Sequence, residues 1–153
     1  MLVLLGSLAL TAAARADGAA PAGRVVKVLP LFLNLKGHDA LSPSLFDRDA
    51  YQFYLRQHTN EISGMRFDVL WKAPGITAAS ASLKIQIELR SVAANGDPVL
   101  KTLEKNVTPH HSEHWTSVPL TTADYRQIGD VVAWRATLWD GDQLLSQQQS
   151  FLW

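Results

Sequence analysis

Three of the five histidines and one carboxylate fall within five residues, His110-His111-Ser112-Glu113-His114. Imidazole and carboxylate donors suit zinc, copper or nickel, so His110, His111, Glu113 and His114 form a candidate transition-metal set, with Zn or Cu as the cofactor. Their spacing fits no established metal motif. On a helix His110 and His114 would share a face, but Pro109 and the neighbouring strand signals place the group in a loop, where ligands need partners from elsewhere in the fold. The competing reading is a solvated histidine-rich loop, which could respond to pH because imidazole titrates near about 6.5.

Hydrolytic chemistry has no comparable signal. The chain lacks cysteine, a Gly-x-Ser-x-Gly elbow, a His-Glu-x-x-His motif and a glycine-rich phosphate loop. Asp47 with Asp49, and Asp140 with Asp142, are paired carboxylates of a type that works on glycans. Asp47 and Asp49 also suit the first turn of a helix, and Asp140 and Asp142 a hairpin turn. The expectation is a protein without catalytic activity.

Aromatic residues offer a second kind of site. Of the five tryptophans, Trp134 shares a strand face with Val132, Ala136 and Leu138, which makes it core. Trp139 shares the other face with Val131, Ala133, Arg135 and Thr137, which leaves it half-exposed. The last strand reads from Leu144 to Trp153, which puts Phe151 and Trp153 on one of its faces. Together with Trp139 they would make an anchor for a protein partner or a stacking platform for carbohydrate; the competing reading is ordinary packing.

These groups must be positioned by strands. Residues 24–35 are rich in β-branched and large apolar types and contain Pro30, which cannot donate to a ladder, so this strand lies at an edge or switches sheets. Met65, Phe67, Val69 and Trp71 alternate with polar residues, as do Leu83, Ile85, Ile87 and Leu89. Asn95-Gly96-Asp97-Pro98 turns the chain into a strand from Val99 to Leu103, and Trp115 to Leu120 supplies another. Residues 121–126 read as a corner. Strands over 131–139 and 144–153 flank an Asp140-Gly141 hairpin turn. Between the first two strands, Ser44 and Asp47 have capping-box-like spacing, and Phe46, Ala50, Phe53 and Tyr54 fall near one helical face. One short helix over 45–58 is expected, although Tyr51, Phe53 and Leu55 also alternate like a strand. That segment could cap an open sheet edge or present Tyr51 and Tyr54 outward.

About seven antiparallel strands with one short helix define an all-β sandwich, which resembles immunoglobulin-like and fibronectin type III-like modules in strand number and spacing. The resemblance implies packing roles for Trp71 as the buried core tryptophan and for Tyr125 as a tyrosine corner. The disulfide of antibody domains is absent.

A chain of 153 residues, with 14 Lys+Arg against 14 Asp+Glu, fits one ordinary domain and lacks the basic footprint of a nucleic-acid binder. Residues 2–14 are apolar, and Ala14-Arg15-Ala16 has the small-x-small pattern of a leader-peptidase site. The expectation is a signal peptide over 1–16, a flexible tail over 17–23 and one domain over 24–153, in the periplasm or secreted. The apolar run is short of the ~20 residues that span a bilayer, so no membrane span remains after cleavage. An outer-membrane barrel fits poorly, because Gln147 and Gln149 would interrupt the lipid-facing side of the last strand. The functional expectation is a non-catalytic interaction module that binds an envelope or extracellular protein. The alternative is a ligand-binding module for carbohydrate or a transition metal.

Overall fold

A computed structural model describes residues 22–77 and 82–153. The expected signal peptide and most of the expected tail lie outside the described residues. Seven strands are formed: β1 (Arg24–Asn34), β2 (Ile62–Lys72), β3 (Leu83–Val92), β4 (Pro98–Asn106), β5 (His114–Leu120), β6 (Asp130–Asp140) and β7 (Gln143–Gln149). They make two antiparallel sheets, one ordered β1-β2-β5 and the other β4-β3-β6-β7. The two-sheet all-β architecture therefore matches the alternation in the sequence.

The period-two segments face each other across the core. Phe67, Val69 and Trp71 of β2 are fully buried on one side, and Ile85, Ile87 and Leu89 of β3 on the other, joined by Ala136 and Leu138 of β6. Burying side chains of this size stabilises a fold by about 1.5–3 kcal/mol each, which makes these two strands the centre of the domain. β1 is an edge strand, with Pro30 opposite Phe67. Its N-terminal end leans towards the other sheet, where the Val25 N–H donates to Ser146 Oγ at 3.1 Å.

Four expectations need correction. Residues 22–23 are packed rather than loose: Gly23 is buried, and a Cβ there would lie 2.9 Å from Leu138 Cδ2 and Leu145 Cδ1. The expected corner over 121–126 is a helix, so the described residues hold two helices, α1 (Leu45–Gln57) and α2 (Thr122–Ile128), plus a 3-10 turn at Thr59–Glu61. The reason lies in its cap: the Thr121 hydroxyl accepts from the Asp124 N–H at 3.2 Å, and Asp124 adds a charge that suits a helix N-terminus. Trp134 is only partly buried at the margin of the core. Finally, β7 stops at Gln149, because a turn begins at Ser150, whose N–H donates to Trp134 O at 2.9 Å and whose hydroxyl accepts from the Trp134 N–H. Strand alternation therefore says nothing about Phe151 and Trp153.

Tyr125 on α2 is buried beneath β2 and β4, and burial, with the Asp130 carboxylate adding to it, pushes its phenol up to about 12. The unfolded phenol ionises near about 10. The folded state thus holds this proton more tightly, and the associated stability is present below pH 10 and lost as pH rises towards 12. We expect thermal melts from pH 9 to 12 to show the advantage of wild type over Tyr125→Phe shrinking across that interval. A constant difference would rule out this linkage.

Candidate functional site

The histidine cluster occupies the connection between β4 and β5. Residues 107–113 form an irregular loop and His114 opens β5, directly across from Trp71 of β2. The loop is tied to β2 by the Ala73 N–H, which donates to His110 O at 2.7 Å. As a result the His110 and His114 rings stack, with centroids 3.9 Å apart and planes 8° from parallel. Both rings meet Trp71 edge-on, and the Trp71 Nε1–H donates to Thr116 Oγ1 at 2.9 Å.

Of the four candidate metal ligands the structure brings together these two. His111 turns away, its Nδ1 lying 3.2 Å from Pro74 O, and Glu113 pairs with Lys72 at 3.4 Å. The nitrogen lone pairs of His110 and His114 lie in the planes of their rings, so parallel stacking aims them side by side rather than at one point. Among the described residues no group of three or more His, Cys, Asp or Glu gathers as a metal site. What the loop does build is an open groove of about 520 Å³ over Trp71, lined by His110, His114, Trp115, Lys105 and Asn106. Trp115, 46% exposed, supplies its one large free aromatic surface.

The three aromatic candidates do not share a platform. Trp139 lies opposite Leu144, beside the hairpin turn, with its Nε1–H donating to Thr137 Oγ1 at 2.8 Å. Trp153 sits four residues away along β6, about 13 Å at strand spacing, where its ring lies against the guanidinium groups of Arg90 at 4.3 Å and Arg135 at 4.8 Å. Arg135 also donates to Glu88 at 2.6 Å, a bond that raises its pKa, so the cation facing the Trp153 ring is fixed and charged. Phe151 is fully exposed in the turn after β7.

The residue that sequence reasoning did not single out is Gln52 on α1. The helix starts where expected, with the Ser44 hydroxyl accepting from the Asp47 N–H and Asp47 in the first turn. Its buried side, however, is Gln52 and Leu55, not the apolar stripe. Gln52 is the reason. Its Oε1 accepts from the Phe32 N–H at 2.7 Å, while its Nε2 donates to Phe32 O at 2.9 Å and to Asp39 O at 2.8 Å. A side-chain amide thereby pairs with both backbone groups of Phe32 as a neighbouring strand would, and it covers the edge of β1. Such bonds contribute about 0.5–1.5 kcal/mol each, and three of them favour the side of the helix that carries Gln52. Tyr51 is half-buried, and its hydroxyl accepts from Asn34 Nδ2 at 3.0 Å. Tyr54 donates to Glu61 at 2.7 Å, a bond that raises its own pKa.

With Gln52 and Leu55 inward, the stripe turns out. Phe46 is 82% exposed and Phe53 62%, with Ala50 between them on the same helical side. The sequence signal was present as the spacing of Phe46, Ala50 and Phe53; what it lacked was the competing claim of one buried amide.

Fold and surfaces together define a two-sheet β-sandwich carrying an outward-facing aromatic helix at one sheet edge. No family model, no curated protein and no solved structure matches the chain. No helix among the described residues is long and apolar enough to cross a membrane.

Proposed function

We propose that this chain is a non-catalytic interaction module of the periplasm or extracellular space, and that it meets its protein partner through the outward face of α1. The observation that carries the proposal is the exposure of Phe46 and Phe53 on one side of a helix that is anchored from the other. Contiguous exposed apolar surface on a folded domain marks a binding site, and aromatic side chains dominate binding energy where they become buried. An immunoglobulin-like or fibronectin type III-like assignment is supported by the strand partition: the first, second and fifth strands share one sheet, and the fourth lies beside the third in the other. A non-catalytic role is supported by the pairing of charged groups with one another, as in Arg66 with Asp68, Arg135 with Glu88 and Lys101 with Asp124.

The test is the double variant Phe46→Ser/Phe53→Ser. It is expected to change the unfolding free energy by no more than about 0.5 kcal/mol per site, because both rings are mostly exposed in the free chain. It is also expected to lower affinity for a crosslinked partner by at least about tenfold, since central aromatic contacts are worth 2 kcal/mol or more. A variant that binds as wild type refutes the proposal.

A second reading, a ligand-binding module for carbohydrate, is favoured by the groove at Trp115, His110 and His114. Carbohydrate stacking on Trp115 would quench its fluorescence; the Zn or Cu alternative, which the stacked histidines do not favour, would raise the melting temperature. Either effect should vanish in Trp115→Ala or His110→Ala/His114→Ala respectively, and persistence in those variants would remove the groove as the site.

A further inference from the structure

The groove between β4 and β5 offers a cation and hydrogen-bond donors but no carboxylate. Each of these strands is the last of its sheet. Lys105 of β4 lies opposite the buried Ile85, so its side chain points into the gap between the sheets, where its Nζ donates to Ser117 O of β5 at 2.9 Å. An ammonium group is thereby held in the groove with a neutral carbonyl as its partner. Three carboxylates lie near by in the fold, and each has a cation of its own: Glu104 pairs with Lys84 at 3.1 Å, Glu113 with Lys72 at 3.4 Å and Asp68 with Arg66 at 2.9 Å. Among the described residues, none that lines the groove is acidic.

The groove also holds polar groups that the fold does not use. Among the described residues, the ring nitrogens of His110 and His114, the Asn106 amide and the Thr108 hydroxyl make no hydrogen bond within the chain. An imidazole carries an N–H whether neutral or charged, and stacking at 3.9 Å sets the two rings side by side. Donors so placed do not converge on one ion, but they can meet the two oxygens of a carboxylate. His114 and Trp115 are neighbours on β5 and face opposite sides of it. A ligand that stacks on Trp115 and reaches the histidine pair must therefore cross the edge of β5, which takes more than one sugar ring. We infer that the groove binds an acidic oligosaccharide, with one sugar on Trp115 and the carboxylate of an adjoining uronate held by Lys105, His110 and His114. This inference rests on the carbohydrate reading of the groove and adds the charge and minimum length of the ligand. A volume of about 520 Å³ suits a short oligosaccharide. A neutral glycan would meet the same donors only with hydroxyls, which accept more weakly than a carboxylate.

Calorimetric titration of the purified chain tests the inference. The probes are tetrasaccharides of galacturonate, mannuronate and hyaluronan, each beside its own methyl ester, which keeps the sugar rings and removes the charge. At least one acid is expected to bind at least about tenfold more tightly than its ester. Lys105→Gln keeps a donor for Ser117 and removes the cation, so it should shrink that preference, whereas Trp115→Ala should abolish binding of acid and ester alike. Equal affinity for acid and ester overturns the inference while leaving the carbohydrate reading of the groove standing. Failure of every acid and every ester to bind removes both. A preference for the acid that survives unchanged in Lys105→Gln overturns the placement of the carboxylate. A monosaccharide that binds as tightly as its tetrasaccharide overturns the path across the edge of β5.

Discussion

Gly129→Ala is expected to cost more than about 3 kcal/mol and to lower the melting temperature by well over ten degrees, if the variant folds at all. Gly129 ends α2 and starts the turn into β6, with φ +73° and ψ −151°, a combination that is essentially restricted to glycine and costs other residues about 1–3 kcal/mol. Strain is only part of the penalty. A Cβ at this position would collide with the Val92 carbonyl oxygen and crowd Ala93 Cα at 3.0 Å, and both are backbone atoms that cannot rotate away. The end of β3 and the start of β6 pair through Val92 and Asp130, so relieving the collision would open the central pair of the four-stranded sheet. Gly96→Ala is the control. It shares the positive φ, at 86°, but a Cβ there meets nothing within 4 Å, so its cost should be about 1 kcal/mol, the strain alone. Equal midpoints for the two variants in urea denaturation would contradict the assignment of the larger effect to backbone contact.

Trp71→Ala should destabilise the domain by about 3–5 kcal/mol, the range for removing a large aromatic from a close-packed interior. Trp71 is fully buried on β2 and is the largest side chain at the centre of the core. Its removal leaves Thr116, itself buried, without the indole donor at 2.9 Å. It also takes away the edge on which His110 and His114 rest. Trp71→Phe separates these contributions. It keeps most of the packing and loses the hydrogen bond, so a cost of about 1–2 kcal/mol is expected, read from the same denaturation curves. If the two substitutions cost the same, the hydrogen bond rather than the volume would hold the residue, and the packing argument would fail.

The strands were legible because each obeys a single rule. Leu83, Ile85, Ile87 and Leu89 alternate without interruption, and all four are buried on one face of β3. Pro30 announced an edge, and β1 is one. Asn95-Gly96-Asp97 announced a turn, which Gly96 enters with positive φ and Asn95 closes through the Asp97 N–H at 3.1 Å. Where two physical claims compete, pattern alone misleads. On α1 the apolar stripe pointed to one buried side, and two hydrogen bonds donated and one accepted by Gln52 selected the other. After Ser150 the alternation of β7 promised an aromatic face shared with Trp139. A turn instead carries the chain back over the sheet, and two arginines far away in sequence hold Trp153.

The candidate site was legible to a smaller extent. The histidine loop was placed correctly between strands, and the nearness of His110 to His114 follows from the Ala73 N–H to His110 O bond beside the Trp71–His114 pair. That His111 and Glu113 turn to Pro74 and Lys72 depends on a strand more than 35 residues earlier in the chain, a separation over which local spacing carries no information. The groove at Trp115 arises in the same way, from the meeting of β4 and β5 at one edge of the sandwich.

Site-specific photocrosslinking tests the central claim most directly. A benzophenone side chain at position 53, in the intact chain expressed in its native cells, is expected to give discrete covalent adducts on irradiation. The same group at Gln147, exposed on the outer face of the four-stranded sheet, is expected to give none. Adducts at 147 with none at 53 would show that the contact surface lies on the sheet, and that α1 is not what the protein presents.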